Sequence, residues 1–189
     1  MALIVLVRPH HGGGRPPAQH NGVREDVFSR DYVKAAEDAL LSAGHRVLVV
    51  SGVERAEAFK VSKLKRADLY IECHANSGRA SQPDAYGLLG YDYRSAASNG
   101  ARLAGCILVE LNAVLKAHAP GSTRVVAAAT EPTNWTRNMF ATIRGCGTAV
   151  GLCYEPVFLD ALEHAPLVRE PKHVGLALAR GICSFLEGR

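Results

Sequence analysis

Two histidines and a glutamate in this sequence have the types and placing that a hydrolytic metal centre requires. Zinc in such centres takes three protein ligands from His, Asp and Glu and keeps its fourth position for water. His11 follows the first apolar run of the chain, inside Arg8-Pro9-His10-His11-Gly12-Gly13-Gly14. His74 follows another apolar run, 69–73. Glu25 precedes Phe28 by three residues and Tyr32 by seven, so on a helix it lies in line with the apolar face. A carboxylate aimed at a core needs a partner, because burying an unpaired charge is costly. The metal reading therefore takes His11, Glu25 and His74 together.

Each of the three also has an ordinary explanation when taken singly. Glu25 fits a capping carboxylate in the first turn of a helix, with Gly22 as N-cap. Glycine, however, has no side chain to complete the reciprocal pair. Only the combination favours a site.

The elements that must position these residues alternate between strand and helix. Residues 3–7 read as a buried strand, and the glycines and prolines that follow read as a loop. Phe28, Tyr32, Ala35, Ala36, Ala39, Leu40 and Ala43 recur at helical spacing, which predicts a helix over 25–43 stopped by Gly44. Strands are expected at 46–50, 69–73, 86–93, 125–129 and 150–154, with helices at 55–66 and 95–116. The second long helix is expected to bury Ala101, Ala104, Leu108, Leu111 and Leu115. Pro171 opens a closing helix whose apolar face carries Val174, Leu178, Ile182 and Phe185. This pattern predicts a single α/β domain spanning 1–189, with a twisted, mostly parallel central sheet flanked by helices. Loops past the carboxyl ends of parallel strands, where His11 and His74 fall, are where such sheets place their sites.

The motifs resemble those of the type-3 family of zinc-dependent N-acetylmuramoyl-L-alanine amidases. That family opens with a strand and Asp-Pro-Gly-His-Gly-Gly, and here Arg8-Pro9-His10-His11-Gly12-Gly13 puts His11 at the ligand position. Its ligand Glu opens a long helix that ends in Gly before a strand, as Glu25 to Gly44 and then Arg46-Val47 do here. Its third ligand lies in Asp-Leu-x-Ile-Ser-x-His-Ala-Asn, and Asp68-Leu69-Tyr70-Ile71-Glu72-Cys73-His74-Ala75-Asn76 is similar over nearly its whole length. The family's catalytic Glu follows a late apolar strand in a pattern like Glu-x-Gly-Phe, which Glu155-Pro156-Val157-Phe158 resembles. Four departures stand out. Arg8 replaces Asp, His10 replaces Gly, Glu72 replaces Ser, and Pro156-Val157 follows Glu155.

The resemblance implies Zn2+ held by His11, Glu25 and His74, with Glu155 as the proton-transferring catalytic residue. It implies peptidoglycan as substrate, cut between N-acetylmuramic acid and the L-alanine of the stem peptide. The alternatives are a zinc carboxypeptidase-like amidohydrolase or a catalytically inactive wall-binding protein of the same fold.

Composition sets outer bounds. Of 189 residues, 48% are hydrophobic and 21% charged, ordinary values for a chain that buries a core. The net charge of +4 suits a polyanionic partner such as a wall polymer. The basic cluster Lys60, Lys63, Lys65 and Arg66 reads as the solvated face of a short helix, and no nucleic-acid-binding motif accompanies it, so nucleic acid is not expected as a partner. Membrane insertion is not expected either, since no run approaches ~20 apolar residues. Five cysteines without a Cys-x-x-Cys pair read as free, mostly buried thiols suited to a reducing compartment. The run before Arg8 is too short for a secretory signal. The expectation is thus a monomer made in the cytoplasm, without a separate wall-binding domain. It would act as a phage or prophage endolysin that reaches the cell wall after membrane permeabilisation.

Overall fold

The computed structural model describes residues 1–9, 18–20, 22–53, 55–77, 87–91, 97–121, 125–129, 146 and 149–188. In chain order the elements are β1 (Leu3–Val7), β2 (Gln19–His20), β3 (Val23–Arg24), α1 (Glu25–Ser42), β4 (Arg46–Val50), α2 (Arg55–Lys65) and β5 (Leu69–Cys73). They continue with β6 (Gly87–Tyr91), α3 (Ala97–His118), β7 (Val125–Ala129) and β8 (Val150–Glu155). A 3-10 turn (Leu162–His164), α4 (Ala165–Arg169) and α5 (Lys172–Glu187) close the chain.

Six strands form one sheet in the order β4-β1-β5-β8-β6-β7. β1 lies parallel between β4 and β5, and β8 runs parallel to β5. The β6–β8 pair is antiparallel, and β7 pairs parallel to β6. The mostly parallel sheet expected from the sequence is therefore observed. Leu69 to Cys73 and Val150 to Glu155 are buried throughout, as central strands covered on both faces must be.

Alternate strand residues serve two helical layers. Ile4, Leu6, Ile71, Cys73, Leu152 and Tyr154 pack with α1, α3 and α5. Val5, Val7 and Tyr70 pack on the other side with Ala58 and Phe59 of α2. Of the α3 face expected in the core, Ala104, Leu111 and Leu115 are fully buried and Ala101 and Leu108 half-buried, while Leu103 and Ile107 are fully buried beside it. The helix is turned toward α5, where a Cβ on Gly181 would lie only 2.5 Å from Cα of Ile107. Gly175 makes the equivalent approach to α1, with a Cβ position 2.1 Å from the carbonyl oxygen of Tyr32. Two glycines thus let α5 nest against both neighbours.

Helix α1 ends as its sequence predicts. Gly44 adopts φ +81°. His45 N–H donates to Leu40 O and Gly44 N–H to Leu41 O, both at 3.0 Å, the paired bonds of a Schellman stop. The hairpin before α1 was not expected. Its signal is the Asn21-Gly22 dipeptide, with Gly22 at φ +77°. Among the described residues all five cysteines are free thiols. No described helix is long and apolar enough to cross a membrane.

Candidate active site

Glu25 is the first residue of α1. The N-cap is Arg24, without a side-chain capping bond, so Gly22 does not serve that role. The Glu25 side chain, 8% exposed, turns away from its own helix end. Its Oε1 sits 2.9 Å from Nδ1 of His74 and accepts the Ala75 N–H at 3.2 Å. Helix α1 is held in this place by its aromatic face. Phe28 and Tyr32 are fully buried and meet edge to face at 5.2 Å, and Tyr32 meets Tyr154 at 5.8 Å. Burial of each such ring is worth ~1.5–3 kcal/mol. The Tyr32 hydroxyl then donates to the His74 carbonyl at 3.0 Å, tying helix and loop together.

His74 is the first residue beyond β5. Its N–H donates to Tyr154 O at 2.9 Å, so the β5–β8 ladder continues past the end of β5. The same extension carries Asn76 N–H to Val157 O and Leu159 N–H to Asn76 O, each at 2.9 Å. The segment after Glu155 is therefore paired with the segment after His74, which fixes the two side chains relative to each other. A further brace comes from His164, fully buried, whose Nδ1 accepts the Phe158 N–H at 2.7 Å. Burial holds its pKa down to about 4, so the ring stays neutral and able to accept. No motif or spacing in the sequence marks His164 for this role.

Glu155 closes β8 with 9% exposure. Its Oε1 takes a weak contact from the Cys153 thiol at 3.9 Å, and its Oε2 is buried without a hydrogen-bond partner among the described residues. Burial raises its carboxyl pKa to about 7. His74 opposes that rise, while Glu25 and Glu72 add to it, so the four groups share one electrostatic neighbourhood. A carboxyl poised near neutrality can take up and release a proton at working pH.

Glu72 adds a carboxylate from the strand itself. It is 2% exposed, accepts the Tyr70 hydroxyl at 3.0 Å and lies 3.5 Å from Nε2 of His74. Burial alone would keep the His74 ring neutral, but Glu25 and Glu72 outweigh it and push its pKa up to about 10. The neighbouring Cys73 is no rival nucleophile, because burial raises its thiol far above the range where a thiolate forms.

At the end of β1, the Arg8 side chain donates to the Asp26 carbonyl at 3.1 Å, so the residue that replaces the motif's Asp braces the first turn of α1. His10 and His11 lie outside the described residues. The structure therefore brings together Glu25, His74 and Glu155, while the placement of His11 is not described. Among the described residues no group of three or more His, Cys, Asp or Glu is arranged to hold a metal. The donors that are present nevertheless fit zinc. A carboxylate oxygen and an imidazole nitrogen stand 2.9 Å apart, and an ion bonded to both at ~2 Å spans that gap with small movement.

Against known proteins, a family profile described as N-acetylmuramoyl-L-alanine amidase matches residues 5–183. Among curated proteins, none matches the sequence significantly. Several solved structures share the fold. Cwp6 from Clostridium difficile superposes with a TM-score of 0.79 at 17% identity, covering 98% of this chain and 30% of its own. This chain thus spans less than a third of Cwp6. Ami1 from Mycobacterium smegmatis, an N-acetylmuramyl-L-alanine amidase, gives 0.73 at 16% identity over 99% and 98% of the two chains. The catalytic domain of the CD27L endolysin targeting Clostridia difficile gives 0.74 at 18% identity over 97% and 98%.

Proposed function

The chain belongs to the N-acetylmuramoyl-L-alanine amidase family, and on that premise we propose that it is a zinc-dependent peptidoglycan hydrolase. It cuts the amide joining N-acetylmuramic acid to the L-alanine of the stem peptide. His11, Glu25 and His74 hold the zinc, and Glu155 is the catalytic residue that moves protons. The observation that carries this assignment is the contact between Glu25 and His74, 49 residues apart in the chain and 2.9 Å apart in space.

When bound, zinc acidifies water and polarises the scissile carbonyl. The remaining work falls to the chain. The Ala75 N–H holds the Glu25 carboxylate at Oε1, and the Tyr32 hydroxyl holds the backbone carbonyl of His74. Glu155 accepts the proton of the attacking water through Oε2, which has no competing hydrogen bond among the described residues. It then delivers that proton to the departing alanine nitrogen, acting first as base and then as acid. The paired segments beyond β5 and β8 keep Glu155 and His74 in fixed relation through both transfers.

Chelation followed by zinc return tests the metal assignment. Turnover on a muramoyl-pentapeptide fragment should vanish with the metal and reappear with one equivalent of zinc. Unchanged turnover in metal-free protein would remove zinc from the mechanism. In its biological setting we place the protein as an endolysin acting as a monomer on the wall, with the CD27L catalytic domain among its structural counterparts. Co-expression with a membrane-permeabilising protein should lyse a bacterium whose wall it digests. Intact cells, despite digestion of isolated walls by the purified protein, would point to another setting.

A further inference from the structure

Glu72 has no role in the reaction as described so far, yet it is a carboxylate buried to 2% exposure on a central strand. Such a charge is costly unless it is engaged. One of its oxygens is held by the Tyr70 hydroxyl at 3.0 Å, and the Tyr70 ring is itself packed on Phe59 of α2 at 5.4 Å. That leaves Oε2 facing Nε2 of His74 at 3.5 Å. The motif that this segment resembles carries Ser here, so the carboxylate is a property of this chain.

The two faces of the sheet explain the geometry. Tyr70 belongs to the core cluster shared with α2, and Glu72, two residues on, projects to the same side. Glu25 comes from α1 on the opposite side. His74 lies just past the strand end, where its ring spans from one face to the other. Nδ1 meets Glu25 and Nε2 meets Glu72.

We infer that Glu72 is a positioning residue that receives the Nε2–H of His74 and thereby presents the Nδ1 lone pair to the metal beside Glu25. A neutral imidazole carries one donor nitrogen and one acceptor nitrogen, and an acceptor at one of them selects which is free to ligate. Carboxylates placed this way fix both tautomer and ring orientation, and their loss weakens metal binding ~10–100-fold. The inference rests on the zinc assignment above, and the test separates the two.

Zinc dissociation constants are measured by competition with a chromophoric chelator for the wild-type chain, Glu72→Ala, Glu72→Gln, Glu72→Asp and Tyr70→Phe. Ring nitrogen shifts of His74 are recorded by 15N NMR in the zinc-loaded wild type. Glu72→Ala should bind zinc ~10–100-fold more weakly while its metal-free melting temperature stays near wild type. Glu72→Gln, which keeps an uncharged acceptor, should fall between the two, and Glu72→Asp should recover part of the loss. Tyr70→Phe should weaken binding less than Glu72→Ala. The NMR shifts should show Nε2 protonated and Nδ1 on the metal. Wild-type affinity in Glu72→Ala, or metal on Nε2, would overturn the inference and leave the zinc assignment standing. A wild-type chain without zinc affinity would overturn both. Should Glu72→Ala fail to fold, Glu72→Gln and the NMR measurement still decide.

Discussion

Glu25 Oε1 lies 2.9 Å from Nδ1 of His74, joining the first residue of α1 to the first residue past β5 across 49 positions of sequence. The contact explains why a carboxylate stands in line with a buried helix face. It also gives the metal reading a direct handle. Glu25→Ala and His74→Ala should each purify with little zinc, measured by atomic absorption. His11→Ala should lose zinc and His10→Ala should largely keep it. A zinc content unchanged in Glu25→Ala and His74→Ala would contradict the ligand set.

Replacing Glu155 should separate metal binding from chemistry. Glu155→Gln keeps the size of the side chain but cannot serve as a base. Turnover should fall at least ~100-fold, the lower scale for losing a general acid–base group, with zinc content unchanged. In the metal-free protein the same substitution has a stability signature. The folded carboxyl has a pKa of about 7, above its ordinary 4.5, so the folded state favours its protonated form. That contribution is present below 4.5 and lost as pH rises through about 7. Metal-free Glu155→Gln should therefore melt higher than wild type at pH 8, with the gap closing toward pH 4.5. A gap that widens toward low pH would reverse the assigned shift.

His164 predicts the opposite pH trend. Its folded pKa, held down to about 4 by burial, lies below the ordinary 6.5. Its contribution is present above 6.5 and lost as pH falls through about 4. Urea unfolding of wild type between pH 7 and 4 should show this loss, and His164→Gln should show a shallower one. At pH 7 the variant should be destabilised by about 1 kcal/mol, the scale of one lost hydrogen bond. Parallel pH profiles would show that His164 does not carry the acid sensitivity.

Gly175 tests how the packing of α5 supports the site. Alanine is the better helix former by ~1 kcal/mol. Its Cβ, however, would sit 2.1 Å from Tyr32 O, which belongs to the helix that presents Glu25. The clash should win, destabilising the protein by ~1–3 kcal/mol and lowering turnover as α1 shifts. A Gly175→Ala protein that is more stable than wild type would show that α5 can move away freely.

Much of this arrangement could be read from residue order. Gly44 marked the end of α1, and the apolar runs gave the central strands β1, β5 and β8 nearly to the residue. Glu25 was marked by its alignment with Phe28 and Tyr32. What spacing could not supply was which atoms meet. The burial of Ile107 beside the expected face of α3 goes with the close approach of Gly181, a tertiary contact that helical periodicity alone does not contain. The role of His164 depends on a backbone N–H six residues earlier, and a lone histidine in a short helical segment carries no such signal. Glu72 was visible only as a departure from a motif. Its meaning appeared once Tyr70 and His74 were found on its two oxygens.

Mass spectrometry of digested sacculi shows most directly which bond is cut. Purified walls are incubated with the zinc-loaded chain and, as a control, with Glu155→Gln. The wild type should release stem peptides with a free L-alanine amine, leaving glycan strands with an unsubstituted lactyl carboxylate, while the control releases almost none. Release of single terminal amino acids, with stem peptides still joined to muramic acid, would contradict the assignment and place the chain among zinc carboxypeptidases.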